Sequence, residues 1–386
     1  MSARQVLPGA TLGVMGGGQL GRMFVKAAQQ LGYFTAVLDP DPTSPAGLVA
    51  HYHIAADYLD EQGLAQLMQR SDAVTTEFEN VPAGALVTIG AHRPVAPTAD
   101  AVAVCQDRAR EKRQFQACGV PCAPYAWIDS AQRLAEVDDT LLPGILKTAR
   151  LGYDGKGQVR VADRAALAEA WTALGQAPCV LEKLLPLDFE LSVLVARSAF
   201  GQTVQLPVQQ NLHRDGILAV TQVPAPDIPA ALQRQAGQAA AAMAEAMDYV
   251  GVLCVEFFVL QDGSLVANEM APRPHNSGHW SIDGSDISQF ELQVRCLTGL
   301  PLPEPHRHSA AVMLNLLGEL WWRDGVERSP PWGQVLALPG VHLHLYGKTG
   351  ARPGRKMGHL TVTAAEPAAA RAVALQAAAL LGLPAF

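Results

Sequence analysis

Apolar residues along this chain follow two rhythms, short unbroken runs and longer stretches that repeat every three to four positions. Short runs bounded by Gly, Pro, Asn or Asp predict strands, and the longer periodic stretches predict helices. Strands are expected at 11–15, 35–38, 53–56 and 73–78, with a helix over 22–31 after the first. A helix over 99–117 then leads to Gly119-Val120-Pro121, a boundary. Beyond it the pattern predicts strands at 145–148, 179–185, 189–196 and 204–210, and helices over 164–174 and 228–248, the last with alanines on several faces and therefore buried. Strands at 309–317 and 341–346 and a packing helix over 367–381 complete the pattern.

Within 251–282, two runs of β-formers flank Asp262-Gly263, a hairpin signature whose type I′ turn needs positive φ at both central residues. Pairing outward from that two-residue turn sets Glu256 opposite Glu269. Opposed side chains lie roughly 4.5–5.5 Å apart at Cβ, where two carboxylates repel, so a cation is expected between them. Magnesium fits best, because it takes carboxylate oxygens and keeps positions for substrate phosphates. Arg273, His275, Asn276 and His279 follow in a proline-broken segment that cannot extend the strand. Together these residues point to a metal-phosphate site, against the alternative of an outward pair softened by water.

Other stretches suggest anion binding. Gly16, Gly18 and Gly21 have GxGxxG spacing, and Asp39 ends the next strand, as in dinucleotide-binding units. The same turn at a helix N-terminus suits any anion, so the motif alone is ambiguous. Glu77 and Asn80 fall where open α/β sheets bind ligands, and suit helix capping equally well. The run Gly152-Tyr153-Asp154-Gly155-Lys156-Gly157-Gln158 has the backbone N–H density to wrap a phosphate but lacks Walker spacing; a solvent hairpin is the alternative. Lys348, Arg352, Arg355 and Lys356 concentrate positive charge in a candidate anion-binding loop, the alternative being a merely solvated one.

A formal charge of −7 and a pI near 5.9 over 386 residues argue against nucleic-acid or anionic-membrane partners. Phosphates must therefore be held by local clusters such as these. No apolar run approaches the roughly 18 residues of a membrane helix, and glycines arrive before a signal-type apolar core forms, so a cytoplasmic protein is expected. The six cysteines have no CxxC or Cys/His spacing and are read as free or buried thiols.

Together these stretches resemble the ATP-grasp superfamily along nearly the whole chain. The blocks GGGQLGRM (16–23), TEFENVP (76–82), GYDGKGQ (152–158), QNLHRDGIL (210–218), NEMAPRPHNSGHW (268–280) and GRKMGHLT (354–361) further resemble the N5-carboxyaminoimidazole ribonucleotide synthase family. The resemblance implies an α/β fold: a Rossmann-like parallel-sheet domain over 1–118, a mobile lid over 119–200 and a C-terminal mixed α/β portion over 201–386. It implies ATP- and bicarbonate-dependent carboxylation of 5-aminoimidazole ribonucleotide through carboxyphosphate, with ATP as co-substrate, two Mg²⁺ ions, small-molecule partners only, and a homodimer.

By the same resemblance Arg108, Lys147 and the loop from Gly152 to Gln158 approach the ATP phosphates, with His213 nearby. Glu182, Lys183, Leu184 and Leu185 take adenine and Glu190 the ribose hydroxyls. Asn268 and Glu269 lie on the ATP side, and Glu256 and Glu269 hold the metal; Ala271 stands where many superfamily members place another metal-binding Asn. Arg273 offers a planar fork to bicarbonate or carboxyphosphate, and His275 orients the intermediate or moves a proton. Gly18, Gln19, Leu20, Glu77, Asn80 and Asn276 line the ribonucleotide, whose phosphate Lys348, Arg355 and Lys356 grip. The competing readings are a formate-dependent glycinamide ribonucleotide transformylase, a non-catalytic nucleotide-binding protein and an NAD-dependent oxidoreductase.

Overall fold

Thr11–Met15 is buried nearly throughout because it lies inside a parallel sheet, where apolar runs are covered on both faces. In the computed structural model, which describes residues 5–150, 152, 157–226 and 228–386, this sheet has the order Tyr52–Ile54, Phe34–Leu38, Thr11–Met15, Ala73–Thr76. The first helix, Gln19–Gln30, begins three residues before the expected Arg22 and directly after the glycine turn.

A second, antiparallel sheet has the order Tyr125–Ile128, Cys179–Lys183, Gly144–Thr148, Gln158–Val161. The third sheet is the largest. Leu265–Ala271 forms its edge, followed by Gly251–Leu260, Leu187–Arg197, Gln209–Arg214, Ile217–Val223, Ala310–Leu317, Lys356–Ala364 and Val341–Leu345. The strand expected over 204–210 is two pieces, Thr203–Gln205 and Gln209–Arg214, pairing at separate places along Leu187–Arg197. The C-terminal helix Pro367–Leu381 packs Ala370, Ala374, Ala377, Ala378 and Leu381 into the apolar cluster that contains Leu314, Leu360 and Val362.

Two further helices differ from expectation. The continuous helix over 99–117 is broken into Ala99–Cys105 and Arg108–Ala117. Asp107 caps the second piece, accepting the Ala109 and Arg110 N–H groups at 3.1 and 3.2 Å, while the Gln106 amide donates to Glu79 and Val81 carbonyls at 2.6 Å each. The alanine-rich helix Ala230–Ala246 is not buried all round. It buries one face, through Ala236, Gly237, Ala240, Met243 and Ala244, and leaves the rest toward solvent.

The hairpin keeps the expected Glu256–Glu269 pairing by a different route. Its loop has three residues: Gly263 N–H donates to Leu260 O at 2.8 Å, and Leu260 N–H donates to Ser264 O at 2.9 Å. Gly263 takes positive φ (+80°) but Asp262 does not, so this is a type I turn closed by a left-handed glycine and not type I′. The longer loop offsets the pairing by one residue. A bulge at Asn268 restores it, since Phe257 pairs with Ala267 and Glu256 with Glu269.

Candidate active site

These three sheets contribute to one cleft of about 1210 Å³. The parallel sheet delivers Gln19 and Leu20 at a helix start and Glu77, Glu79 and Asn80 past a strand end; the antiparallel sheet delivers Lys147 and Glu182; the large sheet delivers Glu190, His213, Glu256, Asn268 and Glu269. In a bulge two residues oppose one, and here the consecutive Asn268 and Glu269 both line the cleft.

The two opposed carboxylates are not equivalent. Burial and the adjacent Glu269 push the Glu256 carboxyl above its usual range. Burial also works against charge on Glu269, but Arg108, with Nη1 3.3 Å from its Oε2, and then Lys147 hold it well below that range. Further along, Glu182 Oε2 lies 3.1 Å from Lys147 Nζ and 3.3 Å from Lys112 Nζ. Burial would raise its pKa, but these ammonium groups bring it down to about 2. Glu182 Oε1, Glu256 Oε1, Asn268 Oδ1 and both amide atoms of Asn276 are buried without a hydrogen-bond partner among the described residues. Such atoms are costly unless a ligand or solvent satisfies them.

Arg273 forms an ion pair with Glu79 and donates to Pro274 O at 3.1 Å. His275 Nδ1 accepts the Ser277 N–H at 3.3 Å, which leaves the ring proton on Nε2, 3.8 Å from Glu256 Oε1. Burial, and then the Arg273 charge, keep this imidazole neutral.

His213 Nδ1 lies 2.6 Å from Glu190 Oε2, off the line of an ideal hydrogen bond. Burial discourages charge on this ring, but Glu190 and the field of Glu256 outweigh it and raise its pKa to about 9. A raised folded-state pKa adds stability that is complete below the unfolded value of about 6.5 and lost as pH rises through about 9. The ligand-free protein should therefore lose roughly 3 kcal/mol across those limits, a loss absent from His213→Gln. Urea unfolding of both proteins across that range checks it; parallel curves would refute the ion pair.

The N–H groups of the glycine turn are taken by carboxylates. Gly17 N–H donates to Asp39 Oδ2 at 2.6 Å, and Gly18 and Gly21 N–H donate to the two Glu77 carboxylate oxygens at 3.0 and 3.2 Å. The groups that would hold a pyrophosphate are already bound to carboxylates. Elsewhere Asp283, His344 and His359 bring ligand-type atoms within 4.8 Å of one another. The two imidazoles stack at 4.5 Å and 14°, so their ring-plane lone pairs do not converge on one ion.

The chain matches three family models in order: a ribonucleotide synthetase preATP-grasp domain over residues 9–106, an ATP-grasp domain over 113–290 and a phosphoribosylaminoimidazole carboxylase C-terminal domain over 311–373. It is 44% identical to N5-carboxyaminoimidazole ribonucleotide synthase of Brucella melitensis, across 94% of this chain and 98% of that one. The chain belongs to the N5-carboxyaminoimidazole ribonucleotide synthase family. It is an ATP-grasp ligase. The family's enzyme from Bacillus subtilis is 39% identical across 94% of this chain and 93% of its own. The Thermus thermophilus crystal structure superposes with a TM-score of 0.89 at 40% identity, covering 97% of this chain and 99% of that one. An Aspergillus clavatus structure holding ADP and 5-aminoimidazole ribonucleotide gives a TM-score of 0.87 at 30% identity, covering 99% of this chain and all of that one.

The residues expected from the family resemblance mostly converge on the cleft: Gln19, Leu20, Glu77, Asn80, Arg108, Lys147, Gly152, Gln158, the stretch from Glu182 to Leu185, Glu190, His213, Glu256, Asn268, Glu269, Arg273, His275, Asn276 and Lys356 all line it. Gly18 sits behind the Glu77 carboxylate, and Gly157 takes positive φ beside Thr148. Lys348 reaches over the Tyr346 ring, its Nζ 5.7 Å from the centroid, and Arg355 donates to Thr349 and Gly350 carbonyls of its own loop. Tyr153, Asp154, Gly155 and Lys156 lie outside the described residues. Sequence reasoning missed Glu79, Glu111 and Lys112. Glu79 stood inside the TEFENVP block, one residue from an assigned position; the other two looked like ordinary helix charges.

Proposed function

We propose that this cleft carries out the reaction for which its family is named, the ATP- and bicarbonate-dependent carboxylation of 5-aminoimidazole ribonucleotide in purine biosynthesis, with release of ADP and phosphate. The observation that carries this reading is the opposed Glu256–Glu269 pair, which shares one cleft with Arg108, Lys147 and a partly buried Arg273. The Aspergillus relative crystallised with ADP and 5-aminoimidazole ribonucleotide supports the same pair of substrates.

The donor set fits Mg²⁺: two hard carboxylates, one with a buried unpartnered oxygen, beside the unpartnered Asn268 Oδ1. Glu256 and Glu269 would hold it, and when bound it neutralises phosphate charge. Arg108 and Lys147 bear on the phosphates, the strand end from Glu182 to Leu185 takes adenine, and Glu190, set by His213, takes the ribose. A bicarbonate oxygen attacks the γ-phosphorus and ADP leaves, giving carboxyphosphate. The exocyclic amine of the imidazole then bonds to the carboxyl carbon as phosphate leaves. Arg273, oriented by Glu79, offers two parallel N–H groups to the anionic carboxyl or phosphate oxygens. Neutral His275 is in the protonation state to orient the intermediate through Nε2–H, and the amine proton passes to the leaving phosphate. Asn80, Asn276 and Lys356 face the ribonucleotide. Such a transfer is mostly positioning and charge neutralisation, which matches a site richer in cations than in free acid–base pairs.

The test is ADP release from MgATP and bicarbonate with and without 5-aminoimidazole ribonucleotide. Release should depend on that ribonucleotide; equal release with glycinamide ribonucleotide and formate would reassign the substrate. A cytoplasmic homodimer is the setting the family resemblance suggests, which sedimentation of the purified chain addresses for the dimer.

A further inference from the structure

Leu265–Ala271 lies at the edge of the large sheet, so the N–H and C=O groups on its outer side lack a neighbouring strand. They are met by the segment that begins with the Arg108–Ala117 helix. Ala267 N–H donates to Pro121 O at 2.7 Å, Lys112 Nζ to Asn268 O at 3.1 Å, and Met270 N–H to Glu111 Oε1 at 2.5 Å. Glu269 therefore stands between two backbone tethers supplied by consecutive helical residues, at the bulge that turns both Asn268 and Glu269 into the cleft.

Lys112 is wholly buried. A buried ammonium is expensive unless its charge and donors are used. Its other contact, Glu182 Oε2 at 3.3 Å, is already neutralised by Lys147 at 3.1 Å. What Lys112 adds is a strut between the Glu182 wall of the cleft and the carbonyl released from the ladder by the bulge.

We propose that Glu111 and Lys112 are positioning residues that clamp the edge-strand bulge and so aim Glu269 at the position opposite Glu256. This inference rests on the reading of Glu269 as a metal-holding carboxylate. It predicts an effect on metal use and not merely on the amount of folded enzyme.

The experiment measures, for wild type, Glu269→Gln, Lys112→Met, Glu111→Leu and Glu111→Gln, the Mg²⁺ dependence of ADP binding by calorimetry on the purified protein, beside ADP release against free Mg²⁺ at saturating ATP, bicarbonate and 5-aminoimidazole ribonucleotide. Half-saturating Mg²⁺ does not depend on how much enzyme folded. Groups that orient a metal ligand typically contribute 10- to 100-fold in metal affinity or activity, so Lys112→Met and Glu111→Leu should raise it by about 10-fold or more. The KM for the ribonucleotide should stay near wild type. Glu111→Gln, which keeps an oxygen acceptor for Met270 N–H, should move it less than Glu111→Leu. An unchanged Mg²⁺ requirement in Lys112→Met and Glu111→Leu, with a clear shift in Glu269→Gln, overturns the clamp. An unchanged requirement in Glu269→Gln instead overturns the metal reading beneath it. If Lys112→Met does not fold, the two Glu111 variants decide.

Discussion

Glu269→Gln lowers ATP-dependent turnover by on the order of 100- to 1000-fold, the usual cost of removing one preorganised electrostatic group from a closed site. The amide fills the same space but carries no charge, so Arg108 at 3.3 Å loses the anion paired with it, while Lys147 keeps Glu182. Glu256 meanwhile loses the neighbour that raises its pKa and ionises more readily. The variant should therefore recover part of its rate at high Mg²⁺, and a coupled ADP-release assay across Mg²⁺ concentrations checks both effects. A rate within threefold of wild type at all concentrations would remove Glu269 from the site.

The second large effect belongs to Arg273→Lys, which keeps the charge and removes the fork. Lysine presents a point charge that cannot bond two oxygens in one plane while also pairing with Glu79. Turnover should fall by about 100-fold and the KM for bicarbonate should rise, with the KM for ATP little altered because the residues proposed for adenine and the phosphates are others. Steady-state kinetics with each substrate varied in turn gives the answer; an unchanged kcat/KM for bicarbonate would place Arg273 outside the chemistry.

The sequence made the strands of the parallel sheet and the central hairpin legible because their signals are local: unbroken apolar runs and a turn dipeptide. Even there the Glu256–Glu269 pairing followed from two offsets that cancel, a three-residue loop and a bulge at Asn268. The helix break at Gln106-Asp107 was hidden, since Asp107 becomes a cap only when Gln106 is held by carbonyls of the 79–81 segment. The glycine turn looked free for a ligand because its occupants, Asp39 and Glu77, arrive from other strands. Glu111 and Lys112 are least legible of all. Their backbone partners lie 159 and 156 residues away in sequence, and nothing in EKR alone distinguishes a buried clamp from a solvated helix face.

The covering of the hairpin's outer edge also bears on solubility. A long, apolar strand with unpaired backbone groups is a template for joining another chain, and Leu265–Ala271 would be one if residues 107–122 were not packed along it. A chain whose 107–122 segment docked late would expose that edge, and an intermolecular contact formed there would involve the same strand that carries Glu269. Aggregation and loss of catalysis would then begin at one place.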